Sequence, residues 1–94
     1  MENGFWGKLK KPIFGLAPMD GVTDASFRFI AAKYGKPDLI FTEFVSVEGL
    51  CAGAEALLDD FLYSDIERPV VAQIFGASPE AFYKVAPLLC ELGF

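Results

Sequence analysis

Three places in the chain put polar or conformationally special residues where an apolar run would otherwise continue: Ala17-Pro18-Met19-Asp20-Gly21, Thr42-Glu43 and Gln73. In the first, the small residues Ala17 and Gly21 let a flat ligand come close to the backbone. Pro18 sets the chain direction, and Met19 offers a soft apolar surface. Such a corner suits the end of a planar heterocycle, and it equally suits an ordinary strand-to-helix turn. Gln73 brings a donor and an acceptor on one amide. Burying that amide unpaired costs about 1–3 kcal/mol, so its partner is either a ring edge with alternating C=O and N–H or a neighbouring backbone group. Glu43 needs pairing or protonation if buried. It either orients a ligand or anchors the Thr23-Asp24 region, with anchoring the favoured role. Arg28 and Lys33 read as ordinary charges of a first helix.

These residues need elements to hold them. Ile13–Ala17, Leu39–Val45 and Val70–Phe75 are mostly continuous apolar runs, as expected of parallel strands covered on both faces. A first helix is expected from Thr23 or Asp24, with Phe27, Ile30, Ala31 and Tyr34 as one stripe facing the sheet and Gly35 as a left-handed stop. A second is expected from Glu48 to Phe61, with Leu50, Ala54, Leu57, Leu58 and Phe61 on one face. The third opens at Ser78 with Pro79 in its first position, buries Phe82, Val85, Ala86 and Leu89, kinks at Pro87 and ends at Gly93. Strand and helix alternate, which predicts an open doubly wound sheet or a (β/α) barrel. In both, ligands bind at the C-terminal ends of the strands, where all three groups fall. No Gly-x-Gly-x-x-Gly follows the first strand, which weighs against a dinucleotide fold. Three strands close no barrel and leave a free sheet edge. The 94 residues are therefore expected to be the front part of a larger domain.

Composition agrees with a folded enzyme segment. Apolar residues make up 53% and charged residues 22%, enough apolar surface to drive folding and more than a small self-sufficient domain needs. The net charge of −5 argues against a nucleic-acid footprint within these residues, and the Lys8, Lys10 and Lys11 cluster reads as solvated charge. There is no His, which removes imidazole chemistry. Cys51 and Cys90 fit no metal or redox spacing and are expected to be reduced and buried. The apolar run at Ile13–Met19 makes a poor signal peptide, and no stretch approaches the roughly 18 apolar residues of a membrane span. No metal and no membrane contact are expected, and a cytoplasmic location follows.

At this point the residues resemble a known family. Leu16-Ala17-Pro18-Met19-Asp20-Gly21-Val22-Thr23-Asp24 with Phe27-Arg28 is similar to the opening signature of the tRNA-dihydrouridine synthases. Thr42-Glu43-Phe44-Val45-Ser46 resembles their second-strand motif, and Arg68-Pro69-Val70-Val71-Ala72-Gln73-Ile74-Phe75-Gly76 their third. The three occur in family order, and the resemblance runs over residues 11 to 94. It implies an FMN-containing (β/α)8 TIM barrel, of which residues 1–94 form the N-terminal three βα units, truncated before the rest of the barrel and a C-terminal helical domain. The implied activity is NADPH-dependent reduction of the uracil 5,6 double bond in tRNA, on a base accessible outside its stack. Pro18, Met19 and the position of Asp20 match the family's first FMN-contacting segment, and Gln73 matches its flavin-binding glutamine. Asp20 departs from the small residue many members carry, a change that a backbone contact tolerates better than a close side-chain contact. The family's catalytic cysteine lies after the fourth strand in an Asn-x-x-Cys-Pro setting, downstream of residue 94, and neither Cys51 nor Cys90 matches it. The flavin-binding lysine and histidine, the phosphate-binding glycine loops and the tRNA-binding surface also lie downstream, so this segment alone is expected to be inactive. Two other readings stand beside this one: another FMN-dependent barrel oxidoreductase acting on a small molecule, and a non-catalytic fragment or interaction module.

Overall fold

The structure, a computed structural model, describes residues 4–94. The first expected strand is present as a short β1 (Gly15–Leu16). The second divides into β2 (Leu39–Phe41) and β3 (Val45–Ser46), and the third into β4 (Val70–Val71) and β5 (Ile74–Phe75). All pairings are parallel, as their apolar continuity predicted. β2 lies between β1 and β4, with Leu16 opposite Ile40 and Ile40 opposite Val70. β3 pairs with β5. The divisions mark a local mismatch in register. Between the pairs Phe41–Val71 and Val45–Ile74, one strand carries three residues (Thr42, Glu43, Phe44) and the other two (Ala72, Gln73). The extra residue is a β-bulge, and it interrupts the regular ladder at the very residues singled out for chemistry.

Helix α1 (Ala25–Tyr34) starts as expected, with Asp24 accepting from the Phe27 N–H at 2.9 Å. Its buried face is not the expected one. Arg28 and Ala32 are buried, whereas Phe27, Ile30 and Tyr34 are exposed. The cause is Arg28, which is no ordinary surface charge. Its guanidinium donates to the carbonyls of Thr23, Asp60 and Leu62 and to the Glu67 carboxylate. These bonds turn the Arg28–Ala32 face inward against the 3-10 turn Asp65–Glu67, at the expense of the apolar stripe. Lys33 is exposed, as expected. The left-handed residue after the helix is Lys36, at φ 46°, and Gly35 keeps a right-handed φ of −99°.

The expected second helix is also interrupted. α2 covers only Val47–Cys51, and Gly53 at φ 89° turns the chain into a 3-10 segment, Glu55–Phe61. The left-handed glycine ends α2 in the way glycines end longer helices. α3 (Pro79–Glu91) follows its sequence closely. Ser78 Oγ accepts from the Ala81 N–H at 3.2 Å, Pro79 opens the helix, and Gly93 at φ 100° lies beyond its end. The helix continues through Pro87. Its buried face is Ala81, Val85 and Leu89, with Phe82 half-buried and Ala86 exposed.

The core joins these pieces on the β3–β5 side. Val45, Val47, Phe61, Ala81, Val85 and Leu89 are buried together, and Leu50, Leu57, Leu58, Ala72 and Ile74 pack against them. Each fully buried aliphatic side chain contributes about 1.5–3 kcal/mol by leaving water. The cysteines are free, as expected, but exposed rather than buried. Cys51 is the last residue of α2, and Cys90 follows Leu89, about 100° around α3 from the buried face.

Candidate ligand site at the C-terminal ends of the strands

After β1 the chain folds into a closed turn. The N–H groups of Val22 and Thr23 both donate to the Met19 carbonyl at 2.9 Å. Thr23 Oγ1 accepts from the Met19 N–H at 2.8 Å and donates to the same carbonyl at 3.2 Å. Thr23 is fully buried under this turn. The Met19 backbone is thus held on both sides while its side chain stays 44% exposed. Pro18 is half-buried and Asp20 exposed. Gly21 has a φ of 77°, a left-handed conformation that glycine adopts at no steric cost.

Glu43 is 7% exposed. Its Oε2 accepts from the Gly21 N–H at 3.2 Å, so the carboxylate anchors the Met19 turn. Glu43 thus anchors the chain at Gly21 and not at the expected Thr23-Asp24 region. Asp24 instead caps α1, and Thr23 closes onto Met19. The second oxygen, Oε1, is buried with no hydrogen-bond partner among the described residues.

Gln73 lies on the other side of the bulge. Its N–H donates to Thr42 Oγ1 at 2.9 Å and its carbonyl accepts from the Val45 N–H at 3.1 Å. Its side chain is half-buried, and among the described residues Gln73 makes its hydrogen bonds through its backbone. Because Leu16, Ile40 and Val70 stand side by side, Met19, Glu43 and Gln73 each follow at the same distance along neighbouring strand runs. All three therefore share one rim. Two strand spacings, about 10 Å, separate the outer runs, a span a flat ring system can bridge.

One further residue bears on this rim. Glu48 Oε1 accepts from the N–H groups of Ala77 at 2.8 Å and Ser78 at 3.0 Å, holding the loop that leads from β5 into α3. These backbone donors hold its carboxyl below the ordinary value of 4.5. Periodicity gave no sign of this clamp or of the Arg28 network. The one available signal was Ser64-Asp65-Ile66-Glu67, the spacing of a capping box, which is formed and whose Glu67 also receives Arg28. Among the described residues no cluster of His, Cys, Asp or Glu is arranged to hold a metal ion, and no helix is long and apolar enough to cross a membrane.

Parallel strands whose C-terminal ends gather a held methionine, a glutamine with an uncommitted amide and a half-satisfied buried carboxylate define an α/β protein with a candidate site along one rim. Residues 15–94 match the dihydrouridine synthase (Dus) family, and the chain belongs to it. It is 41% identical over 96 residues to a Bacillus subtilis (strain 168) protein named "Probable tRNA-dihydrouridine synthase 2", covering all of this chain and 30% of that protein. Proteins named "Probable tRNA-dihydrouridine synthase" from Staphylococcus epidermidis (strain RP62A) and Staphylococcus aureus (strain COL) are 40% and 38% identical, each matching the whole chain across 29% of its own length. The chain thus spans about 30% of the length of these curated relatives. No solved structure matches it significantly.

Proposed function

We propose that the protein containing this chain reduces uridine in tRNA to 5,6-dihydrouridine, with FMN as its flavin and NADPH as reductant. In this reading residues 1–94 are the N-terminal three βα units of a (β/α)8 TIM barrel, and the remaining barrel and a helical domain lie outside them. The observation that carries the reading is the shared rim of Met19, Glu43 and Gln73 in a chain of this family.

The residues present fit a flavin. Open space surrounds the position a Gly21 Cβ would take, so a ring can approach that backbone. Met19 offers an exposed apolar side chain, and Pro18 and Asp20 flank it. The uncommitted Gln73 amide can donate and accept, matching a heterocycle edge of alternating C=O and N–H. Pro18, Met19, Asp20 and Gln73 are accordingly the flavin-binding residues of this segment. When bound, reduced flavin supplies a hydride to the uracil double bond, and an acid must supply the accompanying proton. Cys51 and Cys90 lie on α2 and α3 and are not assigned that role. In this reading the basic surface for tRNA belongs to the other parts of the protein, a view that the acidic balance of this chain supports. The cytoplasm, where tRNA is abundant, is the proposed place of action.

The test is Gln73→Ala in the full-length protein. FMN content after purification is expected to fall clearly below wild type. A mutant that retains flavin at the wild-type ratio would remove Gln73 from the site.

A further inference from the structure

The proposed flavin residues are held in place by a side chain that is not among them. In a regular parallel ladder the Gln73 N–H would donate to a carbonyl of the adjacent strand. Here the bulge leaves no carbonyl in place, and the N–H donates to Thr42 Oγ1 at 2.9 Å. A hydroxyl has one proton and two acceptor positions. The Thr42 proton goes to the Glu43 carbonyl at 3.1 Å, which leaves the oxygen free to receive Gln73. Thr42 is fully excluded from solvent, so water does not compete for either bond. Beyond it, the Glu43 side chain reaches the Gly21 N–H. One hydrogen-bonded strut therefore runs from Gln73 through Thr42 and Glu43 to the turn that carries Met19.

We propose that Thr42 is a positioning residue of the flavin site, its hydroxyl standing in for a missing ladder carbonyl and fixing the backbone from which Gln73 projects. This rests on the flavin reading given above. Valine has the shape of threonine without the hydroxyl, and serine keeps the hydroxyl without the methyl, so the two substitutions separate bonding from packing.

The experiment uses the full-length protein stripped of flavin and titrated with FMN, followed by quenching of flavin fluorescence and by the visible spectrum of the bound ring. Thr42→Val is expected to weaken FMN binding about tenfold, and Thr42→Ser to stay within about twofold of wild type. In a Gln73→Ala background, Thr42→Val is expected to add little, because its effect passes through Gln73. Wild-type affinity in Thr42→Val overturns the proposal, as does an undiminished loss in the Gln73→Ala background. If Gln73→Ala weakens binding and Thr42→Val does not, the flavin reading stands and the role of Thr42 falls. If Gln73→Ala itself binds FMN normally, both fall. Should Thr42→Val not fold, amide hydrogen exchange decides the matter in wild type and Thr42→Ser. Slow exchange at the Gln73 N–H is expected in both, and fast exchange in wild type overturns the strut.

Discussion

Arg28 Nε lies 3.3 Å from Glu67 Oε1, and neither side chain exceeds 2% exposure. The pair joins helix α1 to the turn before β4. Its remaining donors reach the carbonyls of Thr23, Asp60 and Leu62. Glu67 is equally committed, accepting from the N–H and hydroxyl of Ser64. Thr23 in turn holds Met19, so a buried cation under α1 supports the turn proposed to meet the flavin.

Arg28→Met in the full-length protein is expected to cost about 3–5 kcal/mol, since it leaves Glu67 buried without its counter-charge. Urea unfolding of the two proteins side by side checks this. A loss below about 1 kcal/mol would mean that Arg28 is solvated in solution.

Thr23→Val removes the acceptor of the Met19 N–H and the third donor to its carbonyl. The expected loss is about 1–3 kcal/mol, accompanied by weaker FMN retention. Thr23→Ser should recover most of both, as thermal melting and the flavin-to-protein ratio will report.

Glu48 gives a pH dependence whose sign is fixed. Its carboxyl is held below 4.5 in the fold by the N–H groups of Ala77 and Ser78. A depressed folded value means that the stabilisation is fully present above 4.5 and is lost as pH falls through the lowered value. Glu48→Gln is therefore expected to be less stable than wild type near neutral pH, with the gap narrowing as pH falls below 4.5. Denaturation midpoints of both proteins across that range test it, and a constant gap would contradict it.

Gly76→Ala is expected to destabilise by about 1–3 kcal/mol, because the added methyl meets the Glu48 carboxylate and the Val47 side chain. If melting temperature is unchanged, the loop after β5 stands further from α2 than described.

Much of the scaffold could be read from residue order. The continuous apolar runs became parallel strands, Ser78-Pro79 opened α3 where expected, and the three polar interruptions fell on one rim. The departures from local pattern share a physical cause, which is that distant partners leave no mark on it. Phe27, Ile30 and Tyr34 carry the apolar spacing of an inner face yet are exposed. Arg28 reversed that face through carbonyls more than thirty residues away. The bulge was invisible because an extra residue exists only relative to the strand beside it. Gly53 stopped α2 early, although Leu57, Leu58 and Phe61 still reached the core from a 3-10 segment.

The bulge also determines how this stretch tolerates change in length. Side chains along a strand alternate between faces, so a shift of one position exchanges inside for outside. Three residues lie between Phe41 and Val45 but two between Val71 and Ile74, and the bulge absorbs the difference so that Val45 still stands level with Ile74. Deleting one of Thr42, Glu43 or Phe44 would leave two residues on each run, so Val45 would keep its place opposite Ile74 in an unbroken ladder. Substitutions in this stretch alter single contacts, whereas a one-codon deletion would remove the bulge and with it the gap that Thr42 Oγ1 fills.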